Sequence, residues 1–305
     1  MNKGNSLKRA SKQQSAVTAA AVFADWFDQL EAAPQILVGF SGGLDSTVLL
    51  HLLCELLPPE RITAVHIHHG LSANADGWQQ HAKTLCHSLG VRLISESVVV
   101  NKTGAGLESA ARDARYKVFE EHLIEDGLLL LGHHADDQVE TVLFRLLRGS
   151  GARGLSGIPQ TRAVGAGHLI RPLLNQPKSR LQAYAEAQQL VWIEDESNQQ
   201  EQFDRNYLRN SVIPTLAERW PDYVQGVMRS AEQSGQADQL ADSVARADLG
   251  LLDPRPERGG WSLDLNQFVA LEPLRQKNLL RYWPEVQGLS PLGQTFIDEV
   301  MDSLL

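Results

Sequence analysis

The stretch Gln35-Ile36-Leu37-Val38-Gly39-Phe40-Ser41-Gly42-Gly43-Leu44-Asp45-Ser46-Thr47 decides the reading of this chain. Ile36, Leu37, Val38 and Phe40 form a short apolar run of the kind that makes a buried strand, and the helical pattern Val48, Leu49, Leu50, Leu52, Leu53 begins directly after the glycines. A strand, a glycine turn and a helix start so arranged bring several backbone N–H groups and the positive end of a helix onto one anion, which is the geometry of a phosphate cradle. A Walker loop would need four residues between its glycines and a Lys-Ser/Thr pair after them, and no lysine follows here. The dinucleotide fingerprint would place its third glycine where Ser46 stands. Taken alone, the motif is also explained by a tight strand-to-helix turn with Asp45 and Ser46 as local caps.

Outward from that turn, the chain reads as alternating strands and helices. A helix is expected over 16–30, strands over 36–40, 62–67, 91–99 and 128–131, and a further strand from His168 into Leu174. Helices are expected over 46–57, 75–89, 107–125, 138–148 and 178–189, while 152–165 reads as a loop. The alternation implies an α/β fold: an open, mostly parallel sheet with helices on both faces, over residues 16–216. Residues 217–305 read as a smaller, mainly helical domain with one short strand near Trp261. Residues 1–15 carry Lys3, Lys8, Arg9 and Lys12 without an apolar core, so they read as a flexible arm rather than a secretory signal.

With 305 residues and 43% apolar content the chain is long enough for two domains, and no stretch approaches a membrane span. Cys54 and Cys86 are the only cysteines and make no Cys-x-x-Cys pair, which points to a reducing, cytoplasmic compartment without a zinc or iron–sulfur site. The net charge of −9 argues against indiscriminate nucleic-acid binding. Yet Thr141 to Ala185 contains no acid while holding Arg145, Arg148, Arg153, Arg162, Arg171, Lys178 and Arg180, a segregation that suggests one face kept for polyanions.

Three further stretches fall at strand ends, where ligands of open α/β sheets sit. His66-Ile67-His68-His69-Gly70-Leu71 suits contact with a nucleotide's base or ribose better than a metal site, since no Cys or carboxylate follows at ligand spacing. Glu108, Arg112 and Arg115 share a helix face. An intrahelical ion pair explains the first two, but a guanidinium there also suits an amino acid's carboxylate or a phosphate. Gly132-His133-His134-Ala135-Asp136-Asp137-Gln138-Val139-Glu140-Thr141 clusters three acids and two histidines at a helix start. Dipole compensation accounts for one or two such acids; three beside two histidines look like a site for Mg²⁺ or a cationic substrate.

Ser41-Gly42-Gly43-Leu44-Asp45-Ser46 resembles the pyrophosphate (PP) loop of the N-type ATP pyrophosphatases. Taken with the His66–Leu71 stretch, Glu108-Ser109-Ala110-Ala111-Arg112-Asp113-Ala114-Arg115-Tyr116, the His133–Thr141 stretch, Arg148-Gly149-Ser150-Gly151 and Arg205-Asn206-Tyr207-Leu208-Arg209-Asn210, it resembles the tRNA(Ile)-lysidine synthetase family, closely over 35–216 and more loosely beyond. The resemblance implies ATP and Mg²⁺ as cofactors, with L-lysine and the CAU-anticodon isoleucine tRNA as partners. The wobble cytidine is adenylated, lysine displaces AMP to form lysidine, and the codon read changes from AUG to AUA. It places the nucleotide on Ser41, Gly42, Gly43, Leu44, Asp45, Ser46, His66 and His68, with Mg²⁺ on Asp45. Catalysis is assigned to Asp45, His133, Asp137, Glu140 and Arg112, the last three also holding lysine, and tRNA contact to Arg145, Arg148, Arg153, Arg205 and Arg209. Longer members carry a further carboxy-terminal domain, absent from the residues up to Leu305, and commonly Leu-Arg-His where this chain has Leu208-Arg209-Asn210, so Asn210 receives no catalytic role. Homodimerisation stays open. The rival readings are a PP-loop tRNA thiolation enzyme, an ATP-dependent amide ligase such as an NAD or GMP synthetase, and a non-catalytic nucleotide sensor.

Overall fold

The computed structural model describes residues 17–70, 72, 74–99, 107–196, 204–290 and 292–304. The arm expected over 1–15 lies outside the described residues, as does the side chain of Glu108. The chain divides into two compact units, Met1–Phe144 with Ile158–Gln225, and Arg145–Gly157 with Gly226–Leu305.

The first unit is built on six strands: β1 (Ile36–Gly39), β2 (Ile62–His68), β3 (Arg92–Ser97), β4 (Leu128–Leu130), β5 (Thr161–Val164) and β6 (Gly167–Ile170). Their order is β3-β2-β1-β4-β6-β5, parallel throughout except for the antiparallel pair β5 and β6. The expected open, mostly parallel sheet is thus present. One strand was hidden: Thr161–Val164, read as loop among glycines and arginines, returns through a tight turn to pair with β6.

Alternation along β1 divides the core. Ile36, Val38 and Phe40 join Val48, Leu49, Leu52 and Leu53 of the helix Leu44–Leu56 in one cluster, with Phe23 and Leu30 from the helical segments within 19–32. Leu37 points the other way and packs with Val65, Phe119, Leu129 and Leu169. Successive strand residues face opposite sides, so each face of the sheet receives its own helical layer. From β1 the chain runs outward to β2 and β3, then returns to place β4 on the opposite flank of β1. The carboxyl ends of β1 and β4 therefore border the point where strand order reverses, the place at which such sheets bind ligands.

In the second unit, Ala245, Leu252, Phe268, Leu279 and Tyr282 form a small core among the helices Tyr223–Leu251, Leu265–Val269 and Pro273–Val286. A two-stranded hairpin, β7 (Arg255–Glu257) and β8 (Gly260–Ser262), and the helix Gln294–Leu304 complete it. Asp248 is fully buried here and is paired with Arg275. Among the described residues, no helix is long and apolar enough to cross a membrane.

Candidate active site

The glycine turn after β1 is braced by its own hydroxyls. Ser41 Oγ and Ser46 Oγ lie 3.1 Å apart, Ser46 Oγ donates to the Gly43 carbonyl at 3.1 Å, and Gly43 N–H donates to Ser41 Oγ at 3.3 Å. Gly42 holds φ +85°, a conformation that favours glycine, and its carbonyl accepts from Ile193 N–H at 2.9 Å. Gly43 caps the helix Leu44–Leu56 without a side-chain hydrogen bond, leaving first-turn amides for an anion. Gly132 closes the cradle from β4: a Cβ there would stand 3.0 Å from the carbonyl carbon and oxygen of Asp45 and 3.2 Å from Ser46 N.

The three acids of the following helix, Ala135–Leu147, go separate ways. Asp136 Oδ2 accepts from Lys178 N–H at 2.7 Å and so caps the helix Lys178–Ala187. Asp137 Oδ2 accepts from His134 N–H at 3.0 Å, capping its own helix start. Glu140 is buried and takes a bidentate grip from Arg209, Nε at 2.6 Å and Nη2 at 2.7 Å. Burial pushes the Glu140 carboxyl upward, and Arg209 counters it. Arg209 belongs to a π-wound segment, Leu208–Val212, and its Nη2 also stands 3.8 Å from Asp137.

His134 lies buried among carboxylates. Its Nε2 is 3.6 Å from both Asp45 Oδ1 and Asp137 Oδ2, and its Nδ1 is 3.7 Å from Asp136 Oδ2. Burial opposes its charged form, yet Asp45, Asp137 and Asp136 hold its pKa above the ordinary histidine value. Asp45 Oδ1 is itself buried with no hydrogen-bond partner.

Beside the turn is a cavity of about 240 Å³ lined by Ser41, Asp45 and Ser46, by Val65, Ile67 and His69 from β2 and its exit, by Arg115, and by Gly132, His133 and Asp137 after β4. Of the residues chosen on sequence, Ser41, Asp45, Ser46, His133 and Asp137 thus meet around one space. Arg112, Glu140, His66 and His68 do not line it. His66 is buried and its Nδ1–H donates to the Phe40 carbonyl at 3.0 Å, bracing the turn from behind, while His68 Nε2 meets Asp76 at 3.1 Å. Arg112 lies 5.3 Å from the centre of the Tyr116 ring, which Arg162 covers at 4.4 Å.

Of the arginines grouped for tRNA, Arg145 donates to the carbonyls of Gly154 and Gly157 at 2.9 and 2.7 Å, and Arg148 is exposed. Arg153 gives its guanidinium to Asp238, Asp242 and Glu285 within the second unit. Arg205 stacks 5.7 Å from the Phe144 ring. The sequence reading placed His69, Arg115, His134 and Arg171 in candidate stretches but gave none of them an individual role. The signal available was position, since His69 follows β2, His134 follows β4 and Arg171 follows β6 at the same sheet edge.

A family model described as PP-loop domain matches residues 12–216, which contain the whole of this site. The chain belongs to the PP-loop family. Membership carries ATP use with it, and the turn Ser41–Ser46 lies within the matched residues. A second model, described as TilS substrate binding domain, matches residues 263–305. Curated relatives within the PP-loop family are named tRNA(Ile)-lysidine synthase. The protein of Pseudomonas putida is 51% identical over 82% of this chain and 60% of its own length, and that of Legionella pneumophila 39% identical over 92% and 64%. The chain therefore spans about three fifths of the length of these relatives. Among solved structures, the U34-tRNA thiolase NcsA from Methanococcus maripaludis shares the fold, with a TM-score of 0.53, 16% identity, and coverage of 70% of this chain and 79% of that one.

The PP-loop fits a triphosphate. The first-turn amides of the helix Leu44–Leu56 carry no side-chain cap, the cavity beside them is walled by His69, Arg115 and His133, and Gly132 lets the end of β4 approach the backbone of Asp45 and Ser46. For a divalent cation the fit is narrower. Among the described residues no group of three or more His, Cys, Asp or Glu is arranged for one, but Asp45 Oδ1, which accepts no hydrogen bond there and faces His134 Nε2 at 3.6 Å, suits an ion whose other ligands are phosphate and water oxygens.

Proposed function

We propose that this chain uses ATP to adenylate the wobble cytidine of the CAU-anticodon isoleucine tRNA and joins L-lysine to it. The observation that carries the reading is the meeting of Ser41, Asp45, Ser46, His133 and Asp137 around one cavity at the point of strand-order reversal, in a chain whose relatives are named for this reaction. In the first step the cytidine O2 attacks the α-phosphorus and the bond to pyrophosphate breaks. The turn amides hold the departing β- and γ-phosphates, and Mg²⁺ bound at Asp45 supplies charge neutralisation there. In the second step the lysine ε-amine, after losing a proton, attacks C2, and the C2–O bond breaks to release AMP. Asp137 and Glu140 hold the cationic end of lysine, and Arg112 its carboxylate. Glu140 reaches a substrate only after exchanging its bond to Arg209 for one to lysine.

Residues 16–216 form the catalytic domain in this reading, and 217–305 a helical substrate-binding domain. Contact with the tRNA is assigned to Arg145, Arg148, Arg153, Arg205 and Arg209, of which Arg153 is held by Asp238, Asp242 and Glu285 within the second unit. The setting is the reducing cytoplasm. The thiolation rival is disfavoured by the thiols: burial pushes Cys54 up to about 11 and Cys86 to about 12, far from the reactive thiolate range. Incubation with labelled lysine, ATP, Mg²⁺ and unmodified isoleucine tRNA, omitting each in turn, tests the proposal. Label is expected in tRNA only when all four are present. Label that enters without ATP, or never enters the chain extended to its relatives' full length, overturns it.

A further inference from the structure

Arg171, the residue directly after β6, is the bulkiest of the fully buried side chains at 1% exposure. Among the described residues no carboxylate pairs with it. Its Nη1 donates to the Pro159 carbonyl at 2.6 Å, its Nη2 reaches the Tyr116 hydroxyl at 3.5 Å, and its Nε–H points at His133 Nδ1, 3.2 Å away. A buried guanidinium held by neutral acceptors is costly, so its place calls for a reason beyond packing.

The last contact supplies one. A guanidinium nitrogen can only donate, so Nδ1 of His133 must offer its lone pair. The ring proton then belongs to Nε2, the nitrogen left for the cavity that His133 lines. A second proton is opposed by burial and by the cations around the ring. Arg171 faces the ring from the end of β6, Arg115 and Arg112 from the helix Leu107–His122, and His134 from the next position, with Asp45, Asp137 and His69 lining the same cavity as the nearby titratable groups. Burial and these cations hold His133 well below the ordinary histidine range.

We propose that Arg171 is a positioning residue: it locks His133 as the neutral Nε2–H tautomer, a standing hydrogen-bond donor to a phosphate oxygen in the cavity, and bars His133 from taking the proton of the attacking amine. The donor role rests on the ATP-dependent reading above; the tautomer does not. With Nε2 already protonated and Nδ1 tied to Arg171, neither nitrogen is a base. The proton shed by the lysine ammonium must go to a carboxylate or to water, and His133 serves the α-phosphate through one N–H.

The test is nitrogen-15 NMR of the ring in histidine-labelled protein, with the signal assigned by loss in His133→Gln. A single Nε2–H species unchanged from about pH 5 to about pH 8 is expected, since an ordinary histidine would titrate in that window. Adding AMP should shift the Nε2 resonance. An Nδ1–H tautomer or a titrating imidazolium in the parent protein overturns the lock whatever the ligase assay shows, and an Nε2 resonance indifferent to AMP overturns the donor role. Arg171→Lys and Arg171→Met are then compared. In the folded variants His133 should titrate and the pH profile of lysine transfer should gain an inflection absent from the parent; a ring that stays locked without Arg171 refutes its role. Should neither variant fold, the parent spectra alone decide. Absence of lysine transfer in the parent would instead count against the proposed reaction and leave the tautomer result standing.

Discussion

Arg209 grips Glu140 with both edges of its guanidinium, Nε 2.6 Å from Oε1 and Nη2 2.7 Å from Oε2, across 69 positions of sequence. The side chain of Glu140 is only 5% exposed, so its carboxylate has no water to fall back on. Removing the partner in Arg209→Met should cost about 3 kcal/mol, most of it the burden of a stranded buried charge. The double variant Glu140→Gln with Arg209→Met should lose less than the sum of the singles. Urea unfolding of the four proteins measures this, and strict additivity would show that the pair is not coupled.

His134 should give the protein a pH-dependent share of stability in metal-free buffer. Against burial, Asp45, Asp137 and Asp136 raise its folded pKa above the ordinary histidine value of 6.5, so the protonated ring is favoured by folding. That contribution is complete below pH 6.5 and fades as pH rises through the higher folded value. The stability difference between the parent and His134→Asn should therefore shrink with rising pH. A difference that grows instead would refute the sign.

Asp136 and Asp137 are neighbours with different work. Asp136→Ala removes the acceptor for Lys178 N–H and should cost about 1 kcal/mol of stability, as helix caps do, with ATP binding kept. Asp137→Ala, which alters the cavity wall as well, should lower lysine transfer by about a hundredfold or more. Thermal melts and single-turnover assays on the two variants separate the roles.

Gly132→Ala puts a Cβ against the backbone of Asp45, which cannot swing aside as a side chain would. The end of β4 or the PP-loop must shift, at about 1–3 kcal/mol. ATP-dependent pyrophosphate release should fall far more than the melting temperature does. Retained release with normal kinetics would mean that the close approach has no bearing on the nucleotide.

Alkylating Cys54 or Cys86 should be slow until the protein unfolds, and Cys54→Ala should transfer lysine within about twofold of the parent. Cys86 is buried in the core, Cys54 is half-buried against it, and burial holds both thiols protonated.

The parts of this molecule that declare themselves locally were legible in its residues. The apolar run 36–40, the glycine turn and the strand repeats gave the sheet because period and punctuation are local properties. Thr161–Val164 escaped because its partner strand, not its own composition, makes it a strand. The same holds at the site. Ser41, Asp45, His133 and Asp137 announce themselves by motif, whereas Arg209 carries no local sign of its bond to Glu140. Arg171 read as one more surface arginine in a basic block, yet it stands at the end of an apolar strand, and that strand takes it inside.

One consequence of the alternation along β1 concerns the turn that follows it. Ile36 and Val38 are anchored in one oily layer and Leu37 in the other, so the strand cannot slide by a single residue without turning both layers inside out. A slip would carry Ser41 by about 3.3 Å and aim its hydroxyl backwards. The precision of a phosphate grip is thus lent to the polar residues by the greasy ones in front of them, and an insertion or deletion between Pro34 and Phe40 should abolish activity without touching a single group that meets the nucleotide.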